Sequence, residues 1–475
     1  MTTPKKDNDS PRTWEAFRYY TEALESYRRY LLTGKAEELE KSRKRCLKAG
    51  RVEPNYRRPL KLLSTLGFQY LELKRYPDAE RIMDSLKVQM PEIGYFGIGV
   101  IRSVNNKHSE ALEAFEQAVK YKPDFAEAWY NEGVTLGRQG RPPTESLEAF
   151  EAALKFKPYF AEAWYAKGAT LGQLGHPPTE KLPAYEKALN FKPDFAEAWN
   201  NKGVTLGQLG SREEELHAYE EALKFKPDYA DAWYNKGVTL GQLGRPPAEV
   251  LIAYEKALEY KPDYADAWYA KGVTLSQQGR PPTESLEAFE AALKFKPDYA
   301  EAWYNKGVTL GQLGRPPAES LEAFEAALKF KPDYAEAWNN KGEGATLGQL
   351  GCPPAERLHA YEEALKFKPD YAEAWNNKGV ILGQLGRGEE ELQAYEAALK
   401  FKPDYAEAWY NKGVTLSQLG RPPTESLEAF EAALKFKPDY ADARHNKGIT
   451  LKSMGQTEEA EKALARAKEL GFKPG

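Results

Sequence analysis

Apolar side chains three and four residues apart recur in short blocks along most of the chain, separated by proline, glycine and charged residues. In the block that starts at Ala300, about 100° per residue places Trp303, Gly307 and Leu310 within roughly 60° of arc. In the next block Leu321, Phe324, Ala327 and Leu328 follow the same spacing, so each block predicts an amphipathic helix. Arg315-Pro316-Pro317 separates the two, and Lys331-Pro332-Asp333-Tyr334 closes the pair before the next Ala-Glu-Ala-Trp. Pro-Pro ends one helix and supplies a fixed φ at the start of the next. A glycine inside a helix costs about 1 kcal/mol relative to alanine. Its recurrence four residues after each tryptophan therefore predicts a close approach of the paired helix.

The pattern repeats. Tryptophan stands at positions 129, 164, 199, 233, 268, 303, 338, 375 and 409, and the next slot holds Arg444. A single helical hairpin cannot bury both of its apolar faces, so neighbouring units must stack and share a continuous core. The expected architecture is a solenoid.

A period near 34 residues with Trp, Gly four later, Leu three after that, Ala-x-x-Phe in the second helix and a closing Pro resembles the tetratricopeptide repeat of bacterial and archaeal members. The resemblance covers about 11 units, starting near Pro91, Ala126, Ala161, Ala196, Ala230, Ala265, Ala300, Ala335, Ala372, Ala406 and Ala441. It implies an all-α, right-handed superhelical solenoid, an α-α superhelix of about 11–12 helical hairpins making roughly one and a half turns. Most units depart from the family by one extra residue in the Pro-Pro turn. The slot before the glycine, usually apolar in the family, holds lysine here, as at Lys236, Lys306 and Lys412.

The expected organisation is a disordered tail over 1–11, a helical cap over 12–58, a degenerate repeat over 59–90 with Gly67 and Ala79 in the repeat slots, the array over 91–440, and a capping repeat over 441–475. In the cap, Trp14, Phe17, Tyr20, Leu24, Tyr27 and Leu31 suit one apolar face, and Leu39, Cys46 and Leu47 a second. The capping repeat ends in a polar helix from Thr457 to Leu470. One unit, Lys341-Gly342-Glu343-Gly344-Ala345-Thr346-Leu347, carries two extra residues. They would rotate the downstream part of the helix by about 200°, so a kink or break is expected near Gly342 to Ala345.

Composition narrows the function. The 475 residues are 41% hydrophobic and 29% charged, enough apolar material for an extensive core. The net charge of −4 hides an asymmetry, because residues 1–60 carry a net +6 and the remainder −10. Cys46 and Cys352 cannot make a disulfide framework or a four-thiolate zinc site, and the five histidines have no metal-ligand spacing. No stretch of about 18 apolar residues suggests a membrane span, and a reducing, cytoplasmic setting is the expectation. There is no glycine-rich phosphate loop, His-Glu-x-x-His or nucleophile elbow, so no enzyme, cofactor or metal is expected.

The candidate chemistry lies opposite the Trp-Gly-Leu face. The acidic residue two before each Trp, the Asn two after, the Val five after and the Gln nine after fall about 140° to 200° away and form one exposed stripe. The Asn slot holds Asn131, Asn201, Asn235, Asn305, Asn340, Asn377, Asn411 and Asn446, with Ala166 and Ala270 as exceptions. The Gln slot includes Gln208, Gln242, Gln312 and Gln384, and Tyr234 and Tyr304 stand at the edge. In the family the first helices form the inner surface, and asparagine in this slot resembles a ladder that grips the backbone of an extended peptide. A primary amide both donates and accepts. The expectation is therefore a scaffold binding an extended or disordered segment of a protein partner. Asn and Gln inherited by duplication as ordinary surface residues, and tyrosines packing between repeats, remain alternatives. So do docking through the basic run Lys41-Ser42-Arg43-Lys44-Arg45 or the convex face, and self-association. RNA binding is disfavoured by an acidic, lysine-poor stripe.

Overall fold

A computed structural model describes residues 11–54, 56–343 and 351–472. The expected tail over 1–11 falls almost wholly outside the described residues. Among those described there are 26 helices and no strand, from Pro11–Thr33 to Thr457–Glu469. They divide into two compact units, one ending at Leu243 and one beginning at Gly244.

Within each unit one hairpin motif recurs. The first helix runs from the alanine of Ala-Glu/Asp-Ala for 13 residues, as in Ala300–Gln312. The second begins at the second proline, as in Pro317–Phe330, with Pro316 as the extended N-cap residue. Between them Gly314 takes φ +63°, a left-handed turn that glycine adopts without strain. The Arg315 N–H then reaches back to the Leu310 carbonyl at 3.1 Å, closing the helix end. The same turn stands in hairpins whose sequence repeats poorly. Lys74 and Asn106 have positive φ there, and the Arg75 and Lys107 N–H groups bond back to Tyr70 and Arg102, each at 2.9 Å.

The helix glycine does what its recurrence predicts. Gly307 is buried, and a Cβ on it would lie 2.7 Å from the Phe324 ring of the paired helix. The core lies between hairpins, in clusters such as Ala327, Leu328 and Ala337 with Trp303, Tyr304, Tyr334 and Trp338. The tryptophans are only half-buried, a correction to the expected face. The reason is a hydrogen bond: the Trp303 indole donates to the Pro297 carbonyl of the preceding turn at 2.8 Å, which holds the ring at the rim of the joint. Arg444, in the last tryptophan slot, donates to the Pro438 carbonyl at 3.0 and 2.7 Å through Nε and Nη2.

From Lys167 onward the lysine before the helix glycine is a staple between hairpins. Lys306 Nζ lies 2.9 Å from Glu290 on the preceding second helix and 5.4 Å from the Trp303 ring centroid. The pair recurs from Lys167–Glu151 at 2.6 Å to Lys447–Glu431 at 2.7 Å.

Two other expectations are modified. In Pro11–Thr33 the buried face is Ala16, Tyr19, Ala23, Ser26 and Tyr30, one residue out of step with the expected one, and Leu31 is exposed. Alanine and serine face the partner helix because Pro11–Thr33 and Ala36–Val52 pack closely: the Ser42 hydroxyl donates to the Ala23 carbonyl at 2.8 Å. At the insertion the helix stops after Ala335–Gly342, eight residues instead of 13, with Glu343 extended. Arg357 Nε caps the freed Gly342 carbonyl at 3.1 Å. The break thus begins where expected, while Gly344, Ala345 and Leu347 lie outside the described residues.

Candidate functional site: the first-helix stripe

Each first helix presents its stripe beside that of the preceding hairpin in the same unit, and the structure shows what each slot is already committed to. The asparagines are half-buried rather than exposed. The cause is the residue directly after the preceding tryptophan, which is always Tyr or Asn among the units from 126 onward until His445. Where it is tyrosine, the next asparagine donates to its hydroxyl: Asn201 to Tyr165, Asn305 to Tyr269 and Asn340 to Tyr304, each at 3.2 Å, and Asn446 to Tyr410 at 3.3 Å. Where it is asparagine, the amides link directly: Asn235 to Asn200 and Asn411 to Asn376 at 3.1 Å, and Asn377 to Asn339 at 3.3 Å. Asn131, which opens the row, instead donates to the Glu127 carbonyl of its own helix at 2.7 Å.

The asparagine ladder is therefore a structural seam as well as a surface. Asn305 spends a second N–H bond on the Glu301 carbonyl at 2.9 Å, so its oxygen is what it still offers. The tyrosines are wedged at the same seam. Tyr304 lies 4.9 Å from the Tyr334 ring and 5.9 Å from Phe324, half-buried. Burial pushes its hydroxyl above the ordinary phenol range, against the lowering effect of the Asn340 bond. Tyr234 is half-buried near the end of the first unit. Gln208, Gln242, Gln312 and Gln384 are exposed, and Gln208 accepts from Lys181 at 2.7 Å. Val204 and Val380 are also exposed, at 39% and 36%.

The acidic slot corrects the expectation of a lysine-poor stripe. The lysine of the closing Lys-Pro turn, about 30 residues downstream, folds back onto it: Lys157 to Glu127 at 2.7 Å, Lys192 to Glu162, Lys226 to Glu197 and Lys331 to Glu301 at 2.9 Å, and Lys368 to Glu336 at 2.8 Å. Lys296–Asp266 and Lys402–Glu373 are looser, at 3.6 Å. Burial raises the pKa of Glu127, Glu162, Glu197, Glu301 and Glu336. The lysine bond, the helix-end amide and the nearby lysine charges outweigh it, so all five carboxyls sit below the usual glutamate range. Charge on the stripe is thereby balanced, and an acidic stripe no longer argues against a nucleic acid.

The basic N-terminal run is also largely spent. Lys41 pairs with Glu38, Arg43 with Glu40 at 2.6 Å, and Arg45 with Glu22 at 3.2 Å. Among the described residues no group of three His, Cys, Asp or Glu side chains could hold a metal ion, and no helix is long and apolar enough to cross a membrane.

Sequence comparison agrees with the repeat geometry. Tetratricopeptide repeat profiles match residues 98–159 and 269–335, 218–250, 253–284 and 429–462, and 196–229 and 406–440, and a TPR repeat profile matches 384–420. No curated protein matches the chain. Among solved structures it is similar to YrrB, "a TPR protein with an unusual peptide-binding site", with 25% identity over 42% of this chain and 100% of that one and a TM-score of 0.36. A chain of the APC/C hetero-tetramer Cut9-Hcn1 shows 13% identity over 92% and 94%, with a TM-score of 0.44. Yeast Tom70 shows 14% identity over 87% and 92%, with a TM-score of 0.35. The repeat profiles together span more than half of the residues, and on them the chain belongs to the tetratricopeptide repeat family.

Proposed function

We propose that the chain is a non-catalytic protein-interaction scaffold that holds an extended segment of a protein partner along its first-helix stripe. The repeat family supports the scaffold. The observation that carries the finer reading is the order of side chains along the first helices that start at Ala196, Ala230, Ala300, Ala372 and Ala406: a half-buried amide with spare acceptor capacity, an at least partly exposed valine, then an exposed glutamine, as in Asn377, Val380 and Gln384. Extended peptides present N–H groups and side chains in alternation. An amide oxygen accepts the first, and valine and glutamine accommodate the second with little selectivity. Seven of the eight asparagines named in the ladder are held by the preceding hairpin, so the surface is preorganised and little entropy is lost on binding.

The test is a library of extended peptides screened against the immobilised full chain, followed by titration of the best binder against Gln242→Lys, Gln312→Lys and Gln384→Lys combined. Because these positions are exposed, the variant should keep the fold by circular dichroism. Loss of at least about tenfold in affinity supports the stripe. Unchanged affinity moves the binding surface to the second helices or to the N-terminal helices.

A further inference from the structure

Among the hairpins from 126 onward the lysine staple fails at one joint, and there the chemistry is inverted. Glu132 stands in the lysine slot after Trp129, and Glu116 stands in the slot of its partner, sixteen residues earlier as in the other pairs. Two carboxylates thus face each other between the hairpins 91–121 and 126–156. Glu132 is half-buried, and its Oε2 is shut off from solvent with no hydrogen-bond partner among the described residues. A cleft of about 400 Å³ opens beside it.

The surrounding charges do not rescue the pair. From the preceding second helix the facing group is Glu116. From the hairpin's own second helix Glu145 and Glu148 line the cleft, and from the turn comes Arg141. Among the described residues Arg141 is the only cation lining it, and Glu145 holds that guanidinium at 2.8 Å. Arg102, on the preceding first helix, is taken by Glu80 and Glu110. On its own helix Glu127 is paired with Lys157, and Arg138 bonds Ser103. The next hairpin's Lys167 is engaged by Glu151. An unpartnered buried carboxylate oxygen beside a like charge is costly, and a neutral carboxyl in its place is not.

We propose that this joint is a proton-gated hinge in the array: Glu132 keeps its proton while the hairpins are closed, and release of that proton to solvent leaves a buried carboxylate facing Glu116 that loosens the joint. The direction is set by linkage. Burial, and secondarily the Glu116 charge, push the Glu132 carboxyl up to about 7, above its ordinary value. The closed joint therefore binds the proton more tightly than the open one. Closure is favoured at low pH and is lost progressively as pH rises from the ordinary glutamate range toward about 7. From Lys167 onward a Lys–Glu pair occupies these two slots, so the facing carboxylates are confined to this joint of the first unit.

Hydrogen exchange of the full chain tests this, read by mass spectrometry at about pH 5.5 and about pH 8 and corrected for intrinsic rates. Amides of 108–138 are compared with those of 300–312, where Lys306–Glu290 is intact. The expected result is protection at 108–138 at least about tenfold lower at the higher pH, with no change at 300–312. Glu132→Gln, which is neutral at any pH, and Glu132→Lys, which restores the staple, should each keep the joint protected at both. Equal protection at the two pH values in the unmodified chain, or the same loss in Glu132→Gln, overturns the proposal.

Discussion

The Asn305 side-chain amide donates to the Tyr269 hydroxyl of the preceding hairpin at 3.2 Å, and the same bond joins Asn340 to Tyr304. One side chain therefore both registers neighbouring hairpins and faces the stripe. Tyr269→Phe removes the acceptor without changing ring packing against Tyr299 at 4.8 Å. It should cost about 1 kcal/mol, seen as a lower denaturant midpoint, and should weaken peptide binding by freeing the Asn305 rotamer.

Gly307→Ala should destabilise although alanine is the better helix former by about 1 kcal/mol. The new methyl would stand 2.7 Å from the Phe324 ring, and overpacking costs about 1–3 kcal/mol. Thermal unfolding of Gly307→Ala beside the exposed Gly311→Ala checks the sign. Nothing lies within 3.4 Å of a Cβ at Gly311, where only Ser320 is near, at 3.9 Å. That variant should be neutral or stabilising.

Arg444 replaces the tryptophan but keeps its hydrogen bond to a proline carbonyl. Arg444→Trp should therefore preserve stability, and Arg444→Leu should lose about 1 kcal/mol from the last joint. Exchange protection of 441–453 distinguishes the two. Equal protection in both variants would contradict a role for the Pro438 bond.

The lysine-paired carboxyls set an acid limit. Their pKa values are depressed on folding, so their stabilisation is fully present above the ordinary glutamate value and is lost as pH falls below it through the folded values. Lys331→Met and Lys368→Met should flatten the fall in unfolding temperature between about pH 5 and about pH 3. This window lies below that of the Glu132 joint, so the two effects separate.

The hairpins were legible because a period near 34 residues and three-four spacing are both local signals. So was the break at Gly342, since two extra residues cannot be absorbed by a regular helix. The Gly314 turn also has a local signal, a glycine after Leu or Gln in every regular unit, which the apolar pattern alone passes over. The features that stayed hidden depend on the neighbouring hairpin. A helical wheel gives the direction of Asn305 but not the Tyr269 hydroxyl 36 residues earlier. Nor does it show that Lys331 folds back onto Glu301, 30 residues away in sequence, which turned an acidic stripe into a balanced one. The Glu132 inversion is visible in the sequence once Lys306–Glu290 shows which two slots meet.

The most direct measurement is site-resolved photo-crosslinking of the full chain to a peptide selected from the extended library. The photoreactive residue is placed at Gln312 or Gln384 on the first helices, or at the exposed Glu322 or Glu428 on the second helices. A peptide lying along the stripe crosslinks from the two glutamine positions and not from the two glutamates. Crosslinking from Glu322 and Glu428 alone would contradict the stripe as the binding surface and leave the amide ladder as a purely structural seam.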